Sequence, residues 1–189
     1  DEFGKFAEQQ GWTLAWYSVG AEFAAGRPGT SKLQVAEESI VSTELVTFRG
    51  KKFQDVRTAR NRAGKEGIRA VWTTWNDAGT MIRSQIRALS EEWVSDKSLP
   101  EMGFTLGNLS TLHDPEVRLM LALDEHDNLH GVTSWLPVYE DGALAGWMLD
   151  FMRRDPAGFR PVVEFLIAET LVQAHEDGLG WISLSGAPL

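Results

Sequence analysis

The sequence predicts an α+β fold in which one mixed sheet is covered by helices. Three observations predict it. Strand-like runs rich in β-branched and aromatic residues alternate with helix-period segments, three strands joined by tight turns occupy the middle of the chain, and a long apolar helix followed by one more strand closes it. With 189 residues, 43% of them hydrophobic, there is enough apolar surface for one domain or two small subdomains.

Phe3 to Gln10 reads as a helix end stopped by Gly11, and the aromatic-rich Trp12 to Val19 as a strand. A Gly/Pro loop from Gly26 to Ser31 leads to a second strand, Leu33 to Val41. A helix over Phe53 to Glu66, closed by Gly67, precedes a strand over Ile68 to Trp75. Asn76 or Asp77 can cap the next helix, where Ile82, Ile86, Leu89 and Trp93 form one apolar stripe. After a loop from Ser95 to Pro115 come Val117 to Leu123, Leu129 to Tyr139 and Ala143 to Met152, with turns at His126-Asp127-Asn128 and Asp141-Gly142. A helix from Phe159 to Asp177, stopped by Gly178, and a strand from Trp181 to Leu184 finish the chain.

This order is shared by the N-acetyltransferase-like (GNAT) fold. In that fold the helix after the meander starts at a glycine-rich turn whose free N–H groups cradle the pyrophosphate of acyl-coenzyme A. Here the turn is Arg153-Arg154-Asp155-Pro156-Ala157-Gly158-Phe159. Asp155 repels an anion and Pro156 lacks an N–H, so coenzyme A is not expected, nor is any other cofactor.

The absence of cysteine excludes disulfide scaffolds, iron–sulfur clusters and thiol nucleophiles, and points to a reducing compartment. No window approaches the ~18 apolar residues of a membrane span, and the first residues lack a signal-peptide pattern, so this stretch is expected to be soluble. It opens inside a helix and stops at Gly186-Ala187-Pro188-Leu189, as a piece of a longer chain would.

The net charge is −9, yet between Arg49 and Arg69 eight basic side chains face only Asp55 and Glu66, a local net of +6. Such asymmetry is the footprint of an anionic partner, nucleic acid or lipid headgroup. A solvated helix face with its own ion pairs is the alternative, and two acids cannot neutralise eight bases. Arg57 and Arg60 lie near the inward edge of this helix, where they could reach a cleft, although Arg57 could equally be a structural anchor; Arg62 and Lys65 point to the far side.

The four histidines show no metal-ligand spacing and there is no G-x-S-x-G elbow, so no metal is expected. Ser183 and Ser185 read as packing or backbone-bonding residues. Two acids stand in apolar runs. Asp150 interrupts Trp147 to Met152, where alternation puts it on one face with Met148 and Met152. Glu164 falls in the apolar arc of the long helix, amid Val163, Ile167, Ala168 and Leu171. Both are expected to be buried and to pair with Arg153 or Arg154, as structural ion pairs or as an active-site cluster.

The run Gly50 to Gly67 resembles the G-K-x-x-x-x-x-R-x-A-x-N-R-A-x-x-x-G segment of bacterial aminoacyl-phosphatidylglycerol synthases, also called phosphatidylglycerol lysyltransferases, in their cytosolic catalytic domain. Val35-Ala36-Glu37-Glu38-Ser39-Ile40-Val41, Gly103-Phe104-Thr105-Leu106-Gly107, Leu149-Asp150-Phe151-Met152-Arg153-Arg154 and Leu184-Ser185-Gly186-Ala187-Pro188-Leu189 match that family in order and spacing. The resemblance implies two tandem GNAT-like subdomains, with residues 1–48 ending the first and residues 49–189 forming the second, incomplete at its C-terminus. It implies a transferase moving an aminoacyl group from aminoacyl-tRNA to the glycerol hydroxyl of phosphatidylglycerol, at the cytoplasmic face of the bacterial membrane, with a membrane-spanning region elsewhere in the protein. By the matching Leu-Asp-x-Met-Arg motif it implies that Asp150 and Arg153 are catalytic. The placement of Glu164 in an apolar arc adds it as a third catalytic candidate, and the basic segment and strand end add Arg57, Arg60, Asn61 and Arg154 as candidates for binding substrate and Lys51, Lys52, Arg62 and Lys65 as candidates for facing tRNA or the anionic membrane surface. An acyl-coenzyme A N-acyltransferase and a non-catalytic RNA- or membrane-binding module are the alternatives.

Overall fold

The core of the sheet is set by Arg118–Leu123, whose interior is apolar at every position and therefore suits a strand covered on both faces. The computed structural model describes residues 2–17, 19–27, 29–95 and 107–188. Its elements are α1 (Glu2–Gln9), α2 (Ala21–Ala25), β1 (Ala36–Ser42), α3 (Gln54–Lys65), β2 (Arg69–Thr73), α4 (Thr80–Ser95), β3 (Arg118–Leu123), β4 (Leu129–Glu140), β5 (Ala143–Arg154), α5 (Val162–Glu176) and β6 (Trp181–Pro188). Short 3-10 turns stand at Thr43–Thr47, Lys51–Phe53 and Thr111–His113.

The six strands form one sheet in the order β1-β6-β5-β4-β3-β2. β2 to β5 pair antiparallel, and β5 pairs parallel with β6, a connection that needs the crossover through α5. Alternate residues of β3 feed two cores. Met120 and Ala122 join Ala59 and Ala63 of α3 and Phe165 and Leu166 of α5, while Leu119, Leu121 and Leu123 join Ile82 and Ile86 of α4. This is the mixed sheet flanked by helices that the sequence predicts.

Two compact units are present, Asp1–Ala36 and Glu37–Pro188. In the first, the expected strand over Trp12 to Val19 is not formed by any described residue. Trp12 and Trp16 instead stack edge-on against Phe6 and Phe3 of α1, and Trp16 also against Phe23 of α2. Aromatic ring contacts to helices satisfy these side chains without a sheet. In the second unit, α5 starts at Val162 because Pro161 occupies its N-cap position, so Phe159 stays in the preceding turn. β6 runs on past Leu184, through Ser185 in the left-handed region at φ 65°, to Pro188.

Candidate active site on strand β5

β5 carries one carboxylate, Asp150, between the partly buried Leu149 and the buried Phe151, and the strand accommodates it with a bulge. Thr133 and Trp135 of β4 pair with Met152 and Leu149, so β5 holds one residue more than β4 in this interval. The extra residue breaks the alternation. Trp147 and Leu149 pack on the α3 and α5 side, whereas Phe151 packs on the α4 side. Arg153 lies over Trp93 of α4, and Asp150 meets Thr111, the neighbour of Leu112 in that same core. Positions three apart in a regular strand face opposite sides. The bulge thus brings Asp150 and Arg153 to one face and separates Asp150 from Met152, correcting the expected grouping.

The ladder between β5 and β6 ends beside this point. It runs from Gly146↔Trp181 to Met148↔Ser183, and among the described residues no further pair follows. Asp150 therefore sits just past the point where two parallel strands part.

The Asp150 carboxylate is half-buried, and burial pushes its pKa above the ordinary carboxylate range. The Thr111 hydroxyl shares its one proton between the Asn108 carbonyl at 2.7 Å and Asp150 Oδ2 at 3.2 Å, and the contact with Asp150 opposes the shift. Gly107 is packed so closely that a Cβ there would lie 2.6 Å from Asp150 Cγ and 2.7 Å from its carbonyl oxygen. The rest of that motif, residues 103–106, lies outside the described residues. Among the described residues the expected pairing with an arginine is not found: Thr111 is the hydrogen-bonding neighbour of the Asp150 carboxylate, and no arginine contributes to its shift. Arg153 is 5% exposed, with its guanidinium 3.8 Å from the Trp93 ring centroid and 4.3 Å from that of Phe151, and Nη1 donates to the Met152 carbonyl at 2.9 Å. Arg154 is exposed.

Glu164 is a correction. It is exposed in the first turn of α5, where a carboxylate favours the helix dipole. α5 is apolar around most of its circumference, so the centre of its apolar arc did not define an inward direction. The partly buried acid of this helix is Glu169, whose Oε1 accepts from Arg60 Nε at 2.6 Å.

That ion pair bears on the basic segment. Arg57 Nη1 donates to the carbonyls of Phe48 and Gly50 at 2.5 and 2.8 Å, holding Phe48 in its left-handed conformation at φ 46°. Arg57 is a structural anchor here, not a cleft residue. Arg60 pairs with Glu169, Arg62 with Glu66 at 2.7 Å, and Arg69 with Asp127. Arg49, Lys51, Lys52 and Lys65 are exposed and join no ion pair among the described residues. Asn61 is exposed beside them.

The turn after β5 is closed on itself. The Asp155 N–H donates to the His130 carbonyl, Ala157 N–H to Asp155 Oδ1, Gly158 N–H to the Asp155 carbonyl and Phe159 N–H to His130 Nδ1, all at 2.8 to 3.2 Å. Pro156 has no N–H, so these donors leave no cradle for a pyrophosphate. Two open clefts of about 390 and 490 Å³ flank this turn and share Asp124 and His130; Arg62 and Arg160 face Glu66 and Asp124 in the first, whereas Glu92, Asp124 and Asp155 line the second, which therefore does not suit an anion. Among the described residues no cluster of His, Asp and Glu could hold a metal ion, and no helix is long and apolar enough to cross a membrane.

Sequence reasoning missed Thr111, Glu169 and Ser134, the last of which accepts from the Phe151 N–H at 3.1 Å within the bulge. Each acts across at least 17 positions of chain, and none carries a local signal.

Comparison with known proteins agrees with this architecture. The family model described as "Phosphatidylglycerol lysyltransferase, C-terminal" matches residues 1–189. An uncharacterised Corynebacterium glutamicum protein is 57% identical over 190 residues, covering 100% of this chain and 24% of that protein. The lysylphosphatidylglycerol biosynthesis bifunctional protein LysX of Nocardia farcinica is 28% identical over 99% of this chain and 16% of its own length. The chain thus spans a quarter or less of these curated relatives. The solved structure of L-PGS from Bacillus licheniformis superposes with a TM-score of 0.85 at 24% identity, over 100% of this chain and 57% of that one.

Proposed function

Because the chain belongs to the family of phosphatidylglycerol lysyltransferase C-terminal domains, we propose that it forms the core of a transfer site that moves an aminoacyl group from aminoacyl-tRNA to a glycerol hydroxyl of phosphatidylglycerol. The observation that carries this reading is Asp150: an acid of raised pKa at a strand bulge, where β5 and β6 part. The acceptor hydroxyl oxygen attacks the carbonyl carbon of the aminoacyl ester while its proton passes to the Asp150 carboxylate. The tetrahedral intermediate collapses, the bond to the tRNA ribose oxygen breaks, and that oxygen takes a proton back. One ester replaces another, so no nucleotide is consumed. A carboxylate of raised pKa is a stronger base than a solvated one, which suits a weakly acidic hydroxyl.

Arg153, fixed between two rings, supplies positive charge beside the bulge, and Arg154 reaches outward toward phosphate. Lys51, Lys52 and Lys65, with Asn61 and the solvated side of Arg62, form the rim that meets tRNA or the anionic membrane surface. Arg60 and Glu164 have no part in this scheme. The setting is the cytoplasmic face of the bacterial membrane, in a protein with a membrane-spanning region and a preceding GNAT-like subdomain whose end lies in the unit before Glu37, with β1 as the linking strand. The closed turn after β5 weighs against acyl-coenzyme A as donor, and a half-buried Asp150 weighs against a purely binding module.

The test uses the full-length protein, radiolabelled aminoacyl-tRNA and phosphatidylglycerol vesicles, with lipid product resolved by chromatography. Label should move to lipid without ATP and not with vesicles of phosphatidylcholine alone. Transfer from aminoacyl-tRNA to no lipid at all would overturn the reading.

A further inference from the structure

The two peptide groups that flank Asp150 are each held by a serine hydroxyl. On the β4 side, Ser134 Oγ accepts from the Phe151 N–H at 3.1 Å, and Ser134 is fully buried. On the β6 side, Ser185 Oγ donates to the Leu149 carbonyl. A bulge removes ladder bonds just where a residue must be aimed, and unpaired backbone groups let the chain shift between registers. Here side chains replace the missing bonds on both sides of one residue.

Behind Ser185 stands a second tier. Ser185 is one of few non-glycine residues in the left-handed region, at φ 65°, and its N–H donates to Ser183 Oγ at 3.0 Å. Ser183, itself fully buried, donates to Glu38 Oε1 of β1 at 2.6 Å. The chain of bonds runs from β1 through β6 to β5 and ends on the carbonyl next to Asp150. It also explains why β6 leaves β5 after Ser183: the left-handed Ser185 turns the strand while its hydroxyl keeps one contact.

We infer that Ser134 and Ser185 are positioning residues that fix the direction of the Asp150 carboxylate, with Glu38 and Ser183 holding Ser185 in place. This rests on the proposed transfer reaction, and it assigns function to residues that would otherwise be packing. Positioning of this kind acts on the chemical step and not on substrate binding, because neither serine is a contact for tRNA or lipid in that scheme.

The decisive variants are made at Ser185 in the full-length protein. Ser185→Gly keeps the left-handed backbone free of strain and removes only the hydroxyl. Ser185→Asn tolerates the same backbone and restores a donor. Ser185→Gly is expected to lower kcat roughly tenfold or more, with KM for aminoacyl-tRNA and lipid unchanged, and Ser185→Asn to recover most of that loss, since a displaced reacting group costs rate by up to ~10²-fold. Glu38→Ala, at an exposed position that the fold tolerates, should lower kcat in the same direction by a smaller factor. A Ser185→Gly protein with kcat within twofold of the parent, or a loss that Ser185→Asn does not recover, overturns the inference. An inactive parent overturns the functional reading itself and the inference with it, so the two failures are told apart by the parent alone.

Discussion

Helix α3 and strand β5 both carry charge, and they treat it in opposite ways. Along α3 and its flanks the charge is dense, yet Arg60, Arg62 and Arg69 find carboxylates and Arg57 is spent on backbone carbonyls. On β5 a single carboxylate has, among the described residues, a shared hydroxyl and no arginine, and its pKa is left high. Density of charge marks a surface, because opposite charges can be recruited cheaply where water helps. Isolation of charge marks a site, since an ionisable group left with one partner in a half-buried place costs stability that a structural role would not require.

The largest expected effect is at Asp150. Asp150→Asn in the full-length protein should cost ~10²-fold or more in lipid aminoacylation, the scale of a positioned acid–base group. The pH dependence sharpens this. The raised pKa means that the folded state holds the Asp150 proton more tightly than the unfolded state does. Its contribution to stability is then full below the ordinary carboxylate pKa and is lost as pH rises through the raised one. At neutral pH the Asn variant should consequently melt at or above the parent temperature. The acid limb of kcat in the parent should lie above the ordinary carboxylate range and vanish in the variant. A variant that unfolds at neutral pH would return Asp150 to a structural role and erase the contrast with α3.

Glu169→Gln is expected to cost about 1–2 kcal/mol of stability, measured by denaturant unfolding, because it takes the charge from a hydrogen-bonded, partly exposed pair. An unchanged midpoint would mean that Arg60 is free for a ligand. Charge reversal at Lys51, Lys52 and Lys65 should leave the melting temperature within a degree or two, yet reduce the salt slope of tRNA binding by about one per lysine. Unchanged binding would make α3 an ordinary solvated face. The smallest effect belongs to Glu164→Ala, which should lie within about 0.5 kcal/mol of the parent, as exposed substitutions do.

The order of strands and helices beyond Ala36 was legible because hydrophobic period and turn residues are local signals. Trp12 to Val19 was misread as a strand since composition is blind to partners, and its tryptophans packed against phenylalanines of α1 and α2 instead. Asp150 was legible as a carboxylate in an apolar run. Its surroundings were not: a bulge is a property of two strands, and alternation read along one of them placed Asp150 with Met152 and away from Arg153. Glu164 and Glu169 occupy similar apolar neighbourhoods in α5, and only Arg60, 109 positions upstream of Glu169, decides which is drawn inward.

The self-closed turn after β5 sets the manner in which a donor can be gripped. A nucleotide cofactor is held like a key, by a few strong contacts at one pyrophosphate; with those N–H groups committed to His130 and Asp155, that lock is filled. On the proposed reading the donor is held as a rope is held, along its length, by scattered lysines each contributing little. A grip of that sort tolerates the loss of any one contact and releases readily as salt rises. It is also indifferent to what the rope carries at its end. The cargo amino acid can then change by alteration of the residues around Asp150 alone, without renegotiating how the carrier is bound.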